Sequence, residues 1–154
     1  MRAEASEAAG RVWIATIAAA LLRRGAMVHA ASVVLTLSAL LAAAAGSIVA
    51  AGYGLNWLSV GAAIVVPGIV EFWLAARVAL DAELFDAIAA KEADLDGFDR
   101  AMQALGMMPQ DKPDRTLADR AQGAFRLLKL QGLMLGLQMA ALVLGVLLLR
   151  APGA

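Results

Sequence analysis

Glu71 is the residue of this chain best placed to do chemistry, because it lies about 21 Å along an apolar stretch beginning at Trp57, counted at helical rise. That depth is inside the hydrocarbon of a membrane, where a carboxylate must be paired or protonated and is a functional candidate by default. His29, near the start of the preceding apolar stretch, and Lys129 and Gln131, near the start of the last one, should occupy a similar depth. With Glu71 they make a candidate intramembrane polar cluster, able to hold a proton or a ligand in the inner leaflet or to clamp helices together. Pro67-Gly68 precedes Glu71 within one turn. Proline removes a backbone hydrogen bond, so this pair is a candidate kink that could open space beside the carboxylate.

Other chemistries fare worse. Ser32 follows His29 by three residues, yet no nucleophile elbow or oxyanion-hole glycine pattern accompanies it, and no glycine-rich phosphate loop is present. The stretch from Glu92 to Gln103 resembles a calcium loop, but its first ligand is Glu instead of Asp and its twelfth position is Gln instead of Glu. The chain has no cysteine and one histidine, which excludes thiolate and His-rich metal sites. No metal, no cofactor and no catalytic residue is expected.

The elements that must carry these residues are set by charge-free length. Between Arg24 and Glu71 the chain runs 46 residues without a formal charge. About 20 apolar residues cross a bilayer, so this run holds two spans and a turn. Span one is read at Met27 to Ala51 and span two at Trp57 to Ala76, with Tyr53 and Trp57 at the outer interface and Trp73 at the inner one. Leu130 to Leu149 supplies span three. A composition of 62% hydrophobic residues and a mean hydropathy of +0.75 agree, against roughly 45–50% for a soluble domain.

Span two has no stop signal at its inner end, and Leu80, Leu84, Phe85 and Ile88 continue its stripe. Asp94 can cap a short helix ending near Gly106, followed by a loop from Met107 to Pro113. Thr116 and Asp119 resemble a capping box that opens a helix running to Leu149, about 50 Å long and therefore longer than the ~30 Å hydrocarbon core. Residues Ser6 to Leu22 are too short to span and carry Arg11 and Arg23-Arg24 at their flanks; they read as an interfacial helix or as a lengthening of span one. A signal peptide would need a shorter basic region and a shorter apolar run than those found here.

Orientation follows from the basic residues. Four arginines precede span one, eight basic residues lie between spans two and three, and Arg150 alone follows span three. The positive-inside rule puts the N-terminus in the cytoplasm and the C-terminus in the periplasm of a bacterial inner membrane, ten arginines against three lysines being the compositional hint of a bacterial source. The residues between spans two and three are split into an acidic half and a basic half that should attract each other, and their net acidity excludes nucleic acid as a partner.

The expected fold is thus an all-α membrane protein with three transmembrane helices, an N-terminal interfacial helix and a small cytoplasmic helical layer between spans two and three. Its segments are 1–24 (interfacial), 25–76 (hairpin), 77–126 (cytoplasmic), 127–150 (third span) and 151–154 (tail). Gly132-xxx-Gly136, and more loosely the stretch around Gly46, are candidate close-approach surfaces that seat the spans on one another, with Gln138 bonding across the same face. The expected function is that of a non-catalytic accessory or scaffold protein, working on the lipid bilayer with another membrane protein or as a homo-oligomer. The alternative is an oligomeric transporter or channel built around Glu71.

Overall fold

The computed structural model describes residues 2–49, 54–90, 97, 100, 103, 104, 106 and 116–150, and the side chains of all of these except 2–5, 8, 47–49, 54–57 and 149–150. The short helix expected from Asp94, the calcium-like stretch, the loop from Met107 and the side chains of Tyr53 and Trp57 lie outside the described residues, apart from isolated positions. One of these is Gly106, which has φ of 68° and donates its N–H to Gln103 O at 3.0 Å, the left-handed closing turn that glycine makes without steric cost.

The protein is all helical, with no strand among the described residues, and three of its helical stretches are long and apolar enough to cross a membrane. We label the helices α1 (Arg2–Arg23), α2 (Gly25–Val49), α3 (Gly54–Ala89) and α4 (Leu117–Arg150). The helical assignment is interrupted at Arg24, whose N–H turns back to Leu21 O at 3.1 Å. α3 runs unbroken through Pro67 and past Ala76 to Ala89, at about 54 Å far longer than a ~30 Å hydrocarbon core. α4 starts on the capping box: Asp119 N–H donates to Thr116 Oγ1 at 3.2 Å, and the Thr116 hydroxyl donates to Asp119 Oδ2 at 2.7 Å.

The chain divides into two compact units, one of Met1–Arg24 with Arg77–Leu127 and the other of Gly25–Ala76 with Leu128–Ala154. In the first unit the buried residues repeat at intervals of three and four: Ala15, Ala18 and Leu22 on α1, Val78, Ala82 and Phe85 on α3, Leu117, Ala121 and Ala124 on α4. That is the 3.5-residue period of helices packed along a common seam. Alanines keep the helices close, and Phe85 and Leu22 are the largest side chains enclosed. Arg11, Arg77, Glu83, Asp119 and Arg126 stay exposed, and the Arg23 guanidinium pairs with the Asp86 carboxylate to tie α1 to α3.

The second unit has the same period and the opposite polarity. Its fully enclosed side chains include Ser32, Glu71, Gln131 and Gln138, while Met27, Val34, Leu41, Ile69, Phe72 and Leu147 face outward. Polar inside and apolar outside is the arrangement a helical bundle takes when its solvent is hydrocarbon, because buried polar groups then find partners only in the protein.

Phe85 gives the first unit its test. Phe85→Ala should cost about 3–5 kcal/mol through the cavity it leaves. The expected outcome in detergent is a lower thermal midpoint with faster amide exchange in residues 77–89; unchanged protection there would contradict the packing described.

Candidate functional site

Two polar layers cross the second unit, and one glutamine of α4 organises each. Gln131 and Gln138 are seven residues apart, hence on the same face and about 10 Å apart along the axis. Both are fully buried.

In the first layer Gln131 Nε2 donates to Gly25 O on α2 at 2.9 Å and to Glu71 Oε1 on α3 at 2.7 Å. The other carboxylate oxygen, Glu71 Oε2, is hydrogen-bonded to His29 Nδ1 at 3.0 Å. Glu71 is 0% exposed, whereas the His29 side chain keeps 32% of its surface and lies tilted against the Phe72 ring, with centroids 5.6 Å apart. Each helix thus contributes one side chain, and both oxygens of the carboxylate are engaged.

In the second layer Gln138 Nε2 donates to Thr36 Oγ1 at 2.9 Å and to Ile64 O at 3.1 Å, again linking α4 to both neighbours. The Thr36 hydroxyl passes its own hydrogen to Ser32 O at 2.9 Å. Gly68 makes the layer possible. A Cβ there would lie 2.2 Å from Thr36 Oγ1 and 2.7 Å from Gln138 Nε2, so only glycine admits both partners at this level. The Oε1 atoms of both glutamines and Ser32 Oγ are buried without a hydrogen-bond partner among the described residues.

The site residues read from the sequence therefore separate. His29, Glu71 and Gln131 come together; Lys129, two residues from Gln131 and so on another side of α4, is exposed. Pro67 sits within continuous helix, and Gly68 acts through space for a neighbour. Gly132 and Gly136 are exposed, with nothing among the described residues within 4 Å of where a Cβ would be, and Gln138 bonds from a different face. Gly46 is half-buried. The close approach on α4 occurs at Gly145, where a Cβ would meet Val60 Cγ1 at 2.6 Å. Thr36 and Gly145 were not singled out from the sequence, and Ser32 was weighed there only as a nucleophile. The signal for them was there: Gln131, Gln138 and Gly145 step by sevens, as do Gly25, Ser32 and Ala39, and His29, Thr36 and Ala43.

Two apolar grooves lie in this unit. One of about 340 Å³ is lined by Ala39, Ala42, Val60, Gly61, Ile64 and Leu142, the other, about 220 Å³, by Ser32, Thr36, Leu37, Gly68, Ile69 and Phe72. Neither is lined by Glu71, His29 or Gln131. Among the described residues, no three of His, Cys, Asp and Glu gather as metal ligands would.

Gly68→Ala should push Thr36 and Gln138 apart and cost about 1–3 kcal/mol, the usual range for overpacking. Pairing it with Thr36→Ala removes the nearest atom and should recover part of that loss, read as the thermal midpoint in one detergent. If Gly68→Ala alone leaves the midpoint unchanged, the close contact is not there. Comparison with protein families, curated proteins and solved structures found no match.

Proposed function

We propose that the chain is a small integral membrane accessory or scaffold protein without catalytic activity, acting by recruiting a partner or by self-association. The observation that carries this reading is that both oxygens of Glu71 are bonded by side chains of the same chain. A carboxylate so enclosed serves to clamp three helices; a transport pathway needs it open to solute or to a neighbouring subunit.

The protein sits in a bacterial inner membrane with its N-terminus in the cytoplasm and its C-terminus in the periplasm, on the asymmetry of its basic residues. The unit containing α1 is the cytoplasmic one. Trp13, 68% exposed, lies with Ile17 and Leu21 on an outward stripe of α1, flanked by Arg11 and Arg24. Such a stripe supports seating this helix on the inner leaflet, aromatic ring at headgroup depth and arginines beside anionic lipid.

Affinity purification in mild detergent should return a stoichiometric partner or a self-associated species; monomer alone overturns the proposal. In liposomes, Glu71→Gln and the control Ser59→Ala should leave solute flux equal to that of the parent protein. Loss of flux in Glu71→Gln alone would establish the transporter or channel reading instead. A reporter fused after Ala154 should be active only on the periplasmic side.

A further inference from the structure

We propose that α1 is a self-pairing helix, through which two copies of the chain join antiparallel along an exposed seam of Glu7, Gly10, Ile14, Ile17, Leu21 and Arg24.

The seam is defined by spacing and exposure together. Its six residues step by three and four without a break, the period at which one side of a helix meets another helix. All six are exposed. The residues that α1 buries in its own unit, Ala15, Ala18, Ala19 and Leu22, lie on the other side of the helix. Arg24 directly follows α1, and because its N–H still turns back to Leu21 O it keeps to the helical sweep. α1 therefore has two faces with the period of helix packing, and its own unit covers one of them.

Reversed end for end, the seam fits itself. In an antiparallel pair centred between Ile14 and Ile17, Ile14 of one copy faces Ile17 of the other, Gly10 faces Leu21 and Glu7 faces Arg24. Each contact occurs twice, as a two-fold interface requires, with small against large and acid against base. A parallel pair would set Glu7 against Glu7, Arg24 against Arg24 and glycine against glycine, so the charges select the direction. A lipid surface leaves this line unexplained, because Glu7 stands in it and anionic headgroups repel a carboxylate. Trp13 lies to one side of the seam and remains for the lipid. Two copies in one bilayer share a two-fold axis along the membrane normal, and that axis sets segments lying in the membrane plane antiparallel. The pairing rests on the reading above of α1 along the inner leaflet and of a chain that works by association, and it names the surface and the partner.

The chain has no cysteine, so an introduced thiol reports alone. Gly10 accepts one, with nothing among the described residues within 4 Å of where its Cβ would be. Full-length Gly10→Cys and Leu21→Cys proteins, tagged differently and mixed in liposomes, should form a disulfide between the two species on mild oxidation. Neither should cross-link with itself, since antiparallel pairing holds the two copies of position 10 about 16 Å apart, beyond disulfide reach. Gly10→Cys joined to itself, or no disulfide in the mixture, overturns the pairing. In the parent background, Glu7→Arg alone and Arg24→Glu alone should each weaken self-association about tenfold, read as energy transfer between labelled copies against dilution in lipid. An equimolar mixture of the two should recover it, because every opposed pair is then again acid against base. Association indifferent to both reversals also overturns the pairing. If the pairing fails while a stoichiometric partner or another self-contact is still recovered, the accessory reading stands without this seam; monomer throughout ends both.

Discussion

Much of the second unit depends on one amide group. A buried carboxylate is tolerated only where donors reach it, and Gln131 supplies one while its second N–H holds the first carbonyl of α2. The bond to Gly25 O uses main chain, which no rotamer change can withdraw. It fixes the amide's direction, and with it the acceptor face of Glu71 and the side on which His29 must approach. Individually such bonds are modest, about 0.6 kcal/mol on average between helices in a membrane protein. Their joint effect is on specificity: α2, α3 and α4 can meet in few other ways without leaving Glu71 unpartnered.

The two units solve the same packing problem with different side chains inside. Both bury residues at a period of three and four, yet one encloses Phe85, Leu22 and a set of alanines, and the other encloses two glutamines, a serine and a glutamate under leucine, valine and phenylalanine. In water the second arrangement would expose most of its apolar surface and gain little from burial. In hydrocarbon the gain comes from pairing polar groups, and outward Met27, Leu41 and Leu147 need no cover.

Much of the fold was legible in the sequence because charge-free length is a strong signal. The spans, the continuation of α3 beyond Ala76 and the start of α4 at Thr116 all follow from runs, missing stop residues and a capping pair. The site was legible in depth but not in azimuth. Counting helical rise brings Lys129 and Gln131 to the level of Glu71 alike, but two residues of helix turn the side chain by about 200°, so only one can point inward. The glycine motif at Gly132 and Gly136 is silent on direction for the same reason: small residues permit contact without selecting the face that makes it. Gly68 was noticed for its neighbour Pro67, whereas its function is set by Thr36 and Gln138, residues remote in sequence.

The seven-residue step between the two glutamines makes α4 a ruler with unequal marks. Sliding it by two turns in one direction would carry Gln131 to the Thr36 level and set Ala124 opposite Glu71, leaving Oε1 without its donor in a dry interior. Sliding it the other way would let Gln138 serve Glu71, but Gly145 would then arrive at Thr36 with nothing to donate and would forsake its fit against Val60. Neighbouring alignments are thus penalised on both sides, by electrostatics on one and by shape on the other, so the bundle has one home position along the membrane normal.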